Sequence, residues 1–437
     1  MSWKKVIQLT LIHIGIALTA VPISGTLNRI MIVEMQLSAL LVSVLVSSQN
    51  LFSPIQVFMG AWADRHPIWG RHRAPWILLG GLMATCGSYL TPHLVDWIPG
   101  GGLWGLLIAF AAFALWGIGV NLASVSYLSL LSELSAENES WRSNTISIMW
   151  TAMILSAIFA GISISRFLEP YSEAALYMVF GAIWIISTAF VLIGVIGVEP
   201  RRAVGQRVKS DAQGMLASMS VLTNNPSAKR FFIYLLLVLI GVRAQDVLLE
   251  PYGGDVMHLS ISTTSRLESI WGVGVFITLI GGLWLMRRIG KRAVANLGAY
   301  LSALAFLLII LCGVLQLDRW FTPVILLLGL GGGLMTISNL SFMLEMIVPE
   351  AAGLYIGAWG VANFAGQAIG NIGSGFLRDL MLTLSGSPLL GYATVFGLEA
   401  ISLLFAVWYF RGIHVDQFRS DAQLRLSELI AVTDGSH

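Results

Sequence analysis

Three ionisable side chains, Arg243, Asp246 and Glu250, stand at i, i+3 and i+7 in an otherwise apolar stretch, so on a helix they share one face. Charged groups inside apolar segments are costly to desolvate, and they are candidates for binding a polar partner or carrying a proton. Arg243 and Asp246 also have the spacing of a self-compensating pair. Gln245 and Tyr252 add hydrogen-bonding groups beside them, and Pro251 with Gly253-Gly254 predicts a bent or unwound end. A second polar set, Asn28, Arg29 and Glu34, follows the first apolar run. Glu399 is more isolated, near the middle of an apolar segment, where it suits proton carriage, cation binding or a hydrogen bond to a neighbouring helix. His13 lies in the middle of the first apolar run. An imidazole there offers axial ligation, for instance to the magnesium of a chlorin, or serves as a satisfied core group.

A third constellation is cationic. Gly60-Ala61-Trp62-Ala63-Asp64-Arg65 is followed by Gly70-Arg71-His72-Arg73, an expanded form of the loop motif of the major facilitator superfamily, which it resembles. Gly60 permits close helix approach, Asp64 can accept hydrogen bonds from a helix N-terminus, and Arg65, Arg71 and Arg73 suit carboxylates at other helix ends. Glu133, Arg142 and Glu199 are the expected partners, and together the set reads as a cytoplasmic gate. The matching loop of the second half, Gly282 through Met286-Arg287-Arg288 to Gly290-Lys291-Arg292, has Met286 at the carboxylate position, which predicts a weaker second lock.

The elements that position these groups are membrane helices. Of 437 residues, 56% are hydrophobic and only 11% charged, too little polar surface for a soluble globule of this size. Apolar stretches long enough to cross the hydrocarbon core recur throughout. Twelve spans are expected near 6–27, 38–62, 76–95, 103–131, 144–165, 175–198, 231–251, 266–286, 294–316, 321–346, 354–378 and 388–411. With a cytoplasmic N-terminus, all but six of the 25 Lys and Arg residues fall on the cytoplasmic side, the exceptions being Arg29, Arg166, Arg243, Arg266, Arg319 and Arg378. That asymmetry places both termini inside. Cys86 and Cys312 fall within spans and read as small apolar packers.

The spans form two related halves. A shift of 216 positions aligns Gly25 with Gly241, Glu34 with Glu250, and Val179-Phe180-Gly181 with Val395-Phe396-Gly397; a shift of 212 aligns Leu128-Ser129 and Glu133 with Leu340-Ser341 and Glu345. The expected organisation is a six-helix bundle over 1–198, a basic cytoplasmic linker over 199–230, a second six-helix bundle over 231–412 and a cytoplasmic tail over 413–437. Within the linker, Met215, Leu216, Met219 and Leu222 share a helical face suited to the membrane surface. The fold class is therefore an all-α transmembrane protein with the twelve-helix major facilitator plan, two pseudo-symmetric bundles.

Three segments together resemble the PucC/LhaA family, also called the bacteriochlorophyll delivery family. They are Gly25 through Glu34, the loop from Asp64-Arg65-His66-Pro67 to Arg73-Ala74-Pro75-Trp76, and Gln245 through Gly254, with further agreement at Leu259-Ser260, Thr263-Thr264 and Leu267. The chain departs from the family at Arg71-His72-Arg73-Ala74-Pro75, where a run of arginines before the proline is usual. The resemblance implies an assembly role in a photosynthetic membrane, thylakoid or intracytoplasmic, with chlorophyll or bacteriochlorophyll as bound cargo. It also implies chlorophyll-binding light-harvesting or photosystem apoproteins as partners, with pigment-synthesis enzymes as further ones.

The residues themselves leave the function open between three readings. The first is a pigment-handling assembly factor using Asn28, Arg29, Glu34, Asp246 and Glu250 as polar anchors. The second is a proton-coupled transporter of a small polar solute with Glu399 or Asp246 as proton carrier. The third is a pigment-free scaffold. The fifteen tryptophans and twenty phenylalanines suit a flat macrocycle and suit interfacial belts equally. No nucleophile–base arrangement, phosphate loop or metal-ligand spacing appears, so no catalytic or nucleic-acid-binding role and no metal site is expected, and lipid is the surrounding medium.

Overall fold

The computed structural model describes residues 2–66, 68, 70–135, 139–200, 226–243, 245–345 and 352–412. The expected amphipathic helix over 211–223, most of the linker and the tail lie outside them. The first half contains α1 (Trp3–Leu18), two π-helical segments (Ile23–Leu27 and Ile30–Glu34), α2 (Ala39–Val46), α3 (Ser48–Leu51) and α4 (Ile55–Arg65). It continues with α5 (Ala74–Val95), α6 (Ile98–Leu134), α7 (Glu139–Phe167) and α8 (Glu173–Val195). After the linker come α9 (Pro226–Arg243), α10 (Gln245–Asp255), α11 (Ile261–Thr264), α12 (Leu267–Ile289), α13 (Lys291–Leu315), α14 (Asp318–Glu345), α15 (Ala352–Ser385) and α16 (Pro388–Phe410). Among the described residues, nine helical stretches are long and apolar enough to cross a membrane.

The first span is longer than the sequence suggests. It runs from Trp3 to Glu34 because the chain past Leu18 stays helical in π form rather than ending at the polar residues. A π turn widens the helix by one residue and shifts side chains onto a new face, a device common at functional positions. The second span is broken into α2, α3 and α4, with Pro54 at the last break. Residues 251–255 are helical, so Pro251 and the glycines do not unwind this end.

Compactness groups the chain into two units that differ from its repeats. The first comprises the described residues of Met1–Ser210, Gln245–Gly272 and Asn371–Tyr392. Its core joins α1, α5, α6, α7 and α8 through Leu9, Ile12, Ile77, Tyr127, Met149 and Val191. Helices α5 and α6 approach at backbone distance. A Cβ on Gly80 would stand 2.5 Å from the Ala123 amide nitrogen, which excludes any side chain there. The second unit comprises Asp211–Ala244, Val273–Gly370 and Ala393–His437, again in its described residues. A cluster of Met286, Val294 and Leu334 lies in its interior, and Phe306 stacks on Phe396.

Candidate functional site

The expected polar anchors meet inside the first unit, where the π-helical segments pack on α10. Asn28 is buried. Its Nδ2 donates to the Val247 carbonyl at 2.5 Å and to the Ser24 carbonyl at 3.1 Å, while its Oδ1 has no hydrogen bond. Arg29 is also buried; Nη2 donates to the Leu259 carbonyl at 2.9 Å and lies 3.6 Å from Glu34. Its guanidinium lies against Gly254, where a Cβ would come within 2.6 Å of Nε, so this glycine makes room for the arginine. Glu34 is exposed at the rim. Tyr171, in the connection between α7 and α8, also faces this rim; partial burial, then the carboxylates of Glu173, Glu34 and Asp96, push its phenol pKa up.

On α10, Gln245, Glu250 and Tyr252 are buried and Asp246 is half-buried. Gln245 Oε1 and Glu250 Oε2 make no hydrogen bond. Tyr252 meets Tyr392 edge-on, with ring centroids 5.6 Å apart. Arg243 and Glu399 belong to the second unit. There Arg243 packs against Gly370, and Glu399 is buried on α16.

Several participants escape sequence reasoning. Glu268, in the first turn of α12, faces Glu250 and the Ser24 hydroxyl. Thr26 and Ser265 share a hydrogen bond of 2.8 Å beside them. Arg378 pairs with Asp255 at 2.8 Å and Asp379 at 3.0 Å, and the Tyr392 hydroxyl donates to Asp255 at 2.7 Å. Asp379 in turn accepts from the amides of Ala39 and Leu40 at 3.1 and 2.9 Å, capping α2 where the helix dipole favours an anion. The sequence carries one signal for this network: Arg378 is one of the six basic residues off the cytoplasmic side. Its partners are hidden by sequence distance.

His13 stands apart from this cluster. It is 8% exposed, its Nδ1 is hydrogen-bonded to the Tyr127 hydroxyl at 2.6 Å, and its Nε2 makes no hydrogen bond. The exposed Trp150 ring lies 5.7 Å away, centroid to centroid. One ring nitrogen fixed by a neighbour and the other uncommitted is the arrangement that orients an imidazole ligand. Among the described residues no group of three or more His, Cys, Asp or Glu is placed to hold a metal ion.

The cationic loop is organised around two carboxylates. Glu199 accepts from the amides of His72, Arg73 and Ala74 at 2.8, 2.9 and 2.7 Å, so it caps α5. The Arg73 side chain is buried and pairs with Glu133 at 2.9 Å. Arg142 reaches Ser135 at 3.3 Å. Gly70 adopts a left-handed φ of 71°, and Arg71 pairs backbone groups with Ile68. Gly60 lies within helical α4, and the side chains of Asp64 and Arg65 lie outside the described residues. Every contact described for this loop lies within the first half of the chain. In the second unit Lys291 pairs with Glu345, the repeat counterpart of Glu133, so the second half keeps an ion pair although Met286 replaces its carboxylate. Arg292 lies over the Phe410 ring and donates to its carbonyl at 3.1 Å.

Comparison with known proteins fits both fold and sequence. The nucleoside transporter NupG superposes with a TM-score of 0.68 at 17% identity, covering 94% of this chain and 99% of that one. A D-xylose-proton symporter gives 0.71 at 14% identity, over 95% of this chain and 99% of the other. These likenesses establish the twelve-helix major facilitator fold. Protein PucC of Cereibacter sphaeroides is 29% identical over 91% of this chain and 89% of its own length. Protein PucC of Rhodobacter capsulatus is 28% identical over 92% and 91%. The bacteriochlorophyll synthase 44.5 kDa chain of Rhodobacter capsulatus is 27% identical over 94% and 96%. Residues 26–418, which span the Asn28–Arg29 and Gln245–Asp255 elements of the cluster, match the family described as PUCC protein, and the chain is a member of that family of integral membrane proteins.

Proposed function

We propose that this protein binds or delivers chlorophyll or bacteriochlorophyll and assists assembly of light-harvesting or photosystem complexes, without catalysing a reaction. Its location is the photosynthetic membrane of a phototrophic bacterium, thylakoid or intracytoplasmic, with both termini cytoplasmic as the distribution of Lys and Arg requires. The observation that carries the reading is the family match over 26–418, whose relatives include a chain named for bacteriochlorophyll synthase. With Nδ1–H donating to the Tyr127 hydroxyl, His13 would offer Nε2, which makes no hydrogen bond, as an axial ligand to the pigment's magnesium. The polar cluster around Asn28, Arg29 and Glu250 would anchor polar groups of the pigment or of the partner apoprotein.

The test is removal of the protein from its phototrophic host. The expected result is loss of light-harvesting absorbance while free pigment is still synthesised, with chlorophyll-binding apoproteins recovered on the tagged protein. Undiminished light-harvesting complexes in the deletion strain would overturn the reading. A proton-coupled transporter would instead show pH-gradient-driven solute uptake lost in Glu399→Gln.

A further inference from the structure

The broken second span has two faces in opposite states. Toward α6 its polar groups are answered: the Ser48 hydroxyl donates to the Phe113 carbonyl at 2.8 Å, and Asn121 Nδ2 donates to the carbonyls of Gln49 and Gly117, each at 2.7 Å. Gly117 permits this approach, since a Cβ there would stand 2.8 Å from the Gln49 amide nitrogen. Another face carries Ala39, Ser43, Ser47 and Asn50, spaced as a helical stripe, and backbone bonds from Ser47 to Ser43 and from Leu51 to Ser47 carry the register past the end of α2. This stripe meets α15. A Cβ on Gly375 would fall 2.6 Å from the Ala39 carbonyl oxygen, so the two helices touch there at backbone distance. Asp379 accepts from the Ala39 and Leu40 amides, so residue numbers fall along α15 as they rise along α2.

One turn deeper, the same faces hold polar side chains with nothing to bond. Asn371, a turn before Gly375 on α15, is 5% exposed and its Oδ1 has no hydrogen bond. The Ser47 hydroxyl, a turn after Ser43, is fully buried and has none either. Asn50, 7% exposed, makes no side-chain hydrogen bond among the described residues. Amides and hydroxyls left unpaired in an apolar medium are costly, and broken helices at membrane depth are tolerated where they line a cavity. No charged residue occurs over 39–54 or 371–377, and the nearby Arg378 is neutralised by Asp255 and Asp379, so the stripe suits a neutral guest. We infer that Ser47, Asn50 and Asn371 bind a carbonyl group of an uncharged, membrane-dissolved molecule between the broken second span and α15. The ring carbonyls of a chlorin and the ester carbonyls of a lipid share this chemistry. The inference stands on the unpaired groups and is independent of His13 and of pigment delivery.

Thermal unfolding of the full chain in a maltoside detergent, which has no carbonyl group, tests this with two added probes. One is pheophytin, a chlorin with no magnesium for His13 to hold; the other is dioleoylglycerol. Without a probe, Ser47→Ala, Asn50→Leu and Asn371→Leu should each melt above wild type, because each removes an unpaired polar group; side chains that merely hold the fold together would melt lower. One probe should raise the wild-type melting temperature, and which one does so names the source of the carbonyl. Each substitution should weaken that probe's binding about tenfold, the worth of one hydrogen bond. The bound probe's carbonyl infrared band should lie below its position in detergent alone and move back toward it in the variants. Two neutral probes that leave wild-type melting unchanged, a carbonyl band at its free position, or variants that all melt below wild type would overturn the proposal.

Discussion

Asn28 and Val247, 219 residues apart, are joined by a hydrogen bond of 2.5 Å from the Asn28 amide to the Val247 carbonyl. The carbonyl lies in α10, one turn before Pro251. Proline at 251 has no N–H to give it, so the helix cannot satisfy this acceptor and a side chain from the π-helical region does. The two segments that most resemble the PucC family are thus stitched to each other, which explains why both are polar inside an apolar chain.

Replacing Asn28 by Ala should leave the Val247 carbonyl buried without a donor, at a cost of about 1–3 kcal/mol. Asn28→Asp should cost more, because a carboxylate would face a carbonyl oxygen. Thermal unfolding followed by tryptophan fluorescence in detergent should rank wild type above Asn28→Ala and Asn28→Asp last; equal melting temperatures would count against the tether.

The two ion pairs at helix starts should differ in weight. Arg73 and Glu133 are 5% and 11% exposed, whereas Lys291 and Glu345 are 36% and 35% exposed. Removing one partner of a buried pair costs about 3–5 kcal/mol, and an exposed pair contributes roughly 0–1 kcal/mol. Arg73→Ala should therefore sharply reduce the yield of folded protein, while Lys291→Ala should be nearly silent. Double-mutant cycles on both pairs read this directly.

Glu199 should behave as a cap. Glu199→Gln keeps one acceptor oxygen but loses the charge that strengthens bonds to three amides, and a loss of about 1–2 kcal/mol is expected, with Glu199→Ala losing more. Hydrogen exchange should rise at the first turn of α5 and stay unchanged at its far end; uniform change along α5 would argue for global destabilisation instead.

Much of this is legible in the sequence. The helical spans follow from apolar length alone, and Arg29, Asn28 and Glu250 announce themselves as polar residues in apolar runs. The π form is not legible, because it depends on the partner that receives the shifted side chains. Asn28 and Arg29 look like an exit from the membrane and end span one near residue 27 on paper; Asn28 Nδ2 and Arg29 Nη2 instead donate to carbonyls within the protein. Glu268 escapes notice because an acid in the first turn of a helix is ordinarily a solvated dipole partner. Here it faces Glu250, 18 positions earlier in sequence but across a helix break. Arg378 stands out only as a charge on the wrong side, and Asp255, Asp379 and Tyr392 give no local sign of joining it.

Whether the protein handles a chlorin is tested most directly by an absorption spectrum with pigment extraction from protein purified in mild detergent from a pigment-producing host, alongside His13→Ala, Tyr127→Phe and Glu250→Gln. Stoichiometric chlorin in the wild type, lost with His13→Ala and reduced with Tyr127→Phe, is the expected result. A folded, colourless wild type from that host would contradict it.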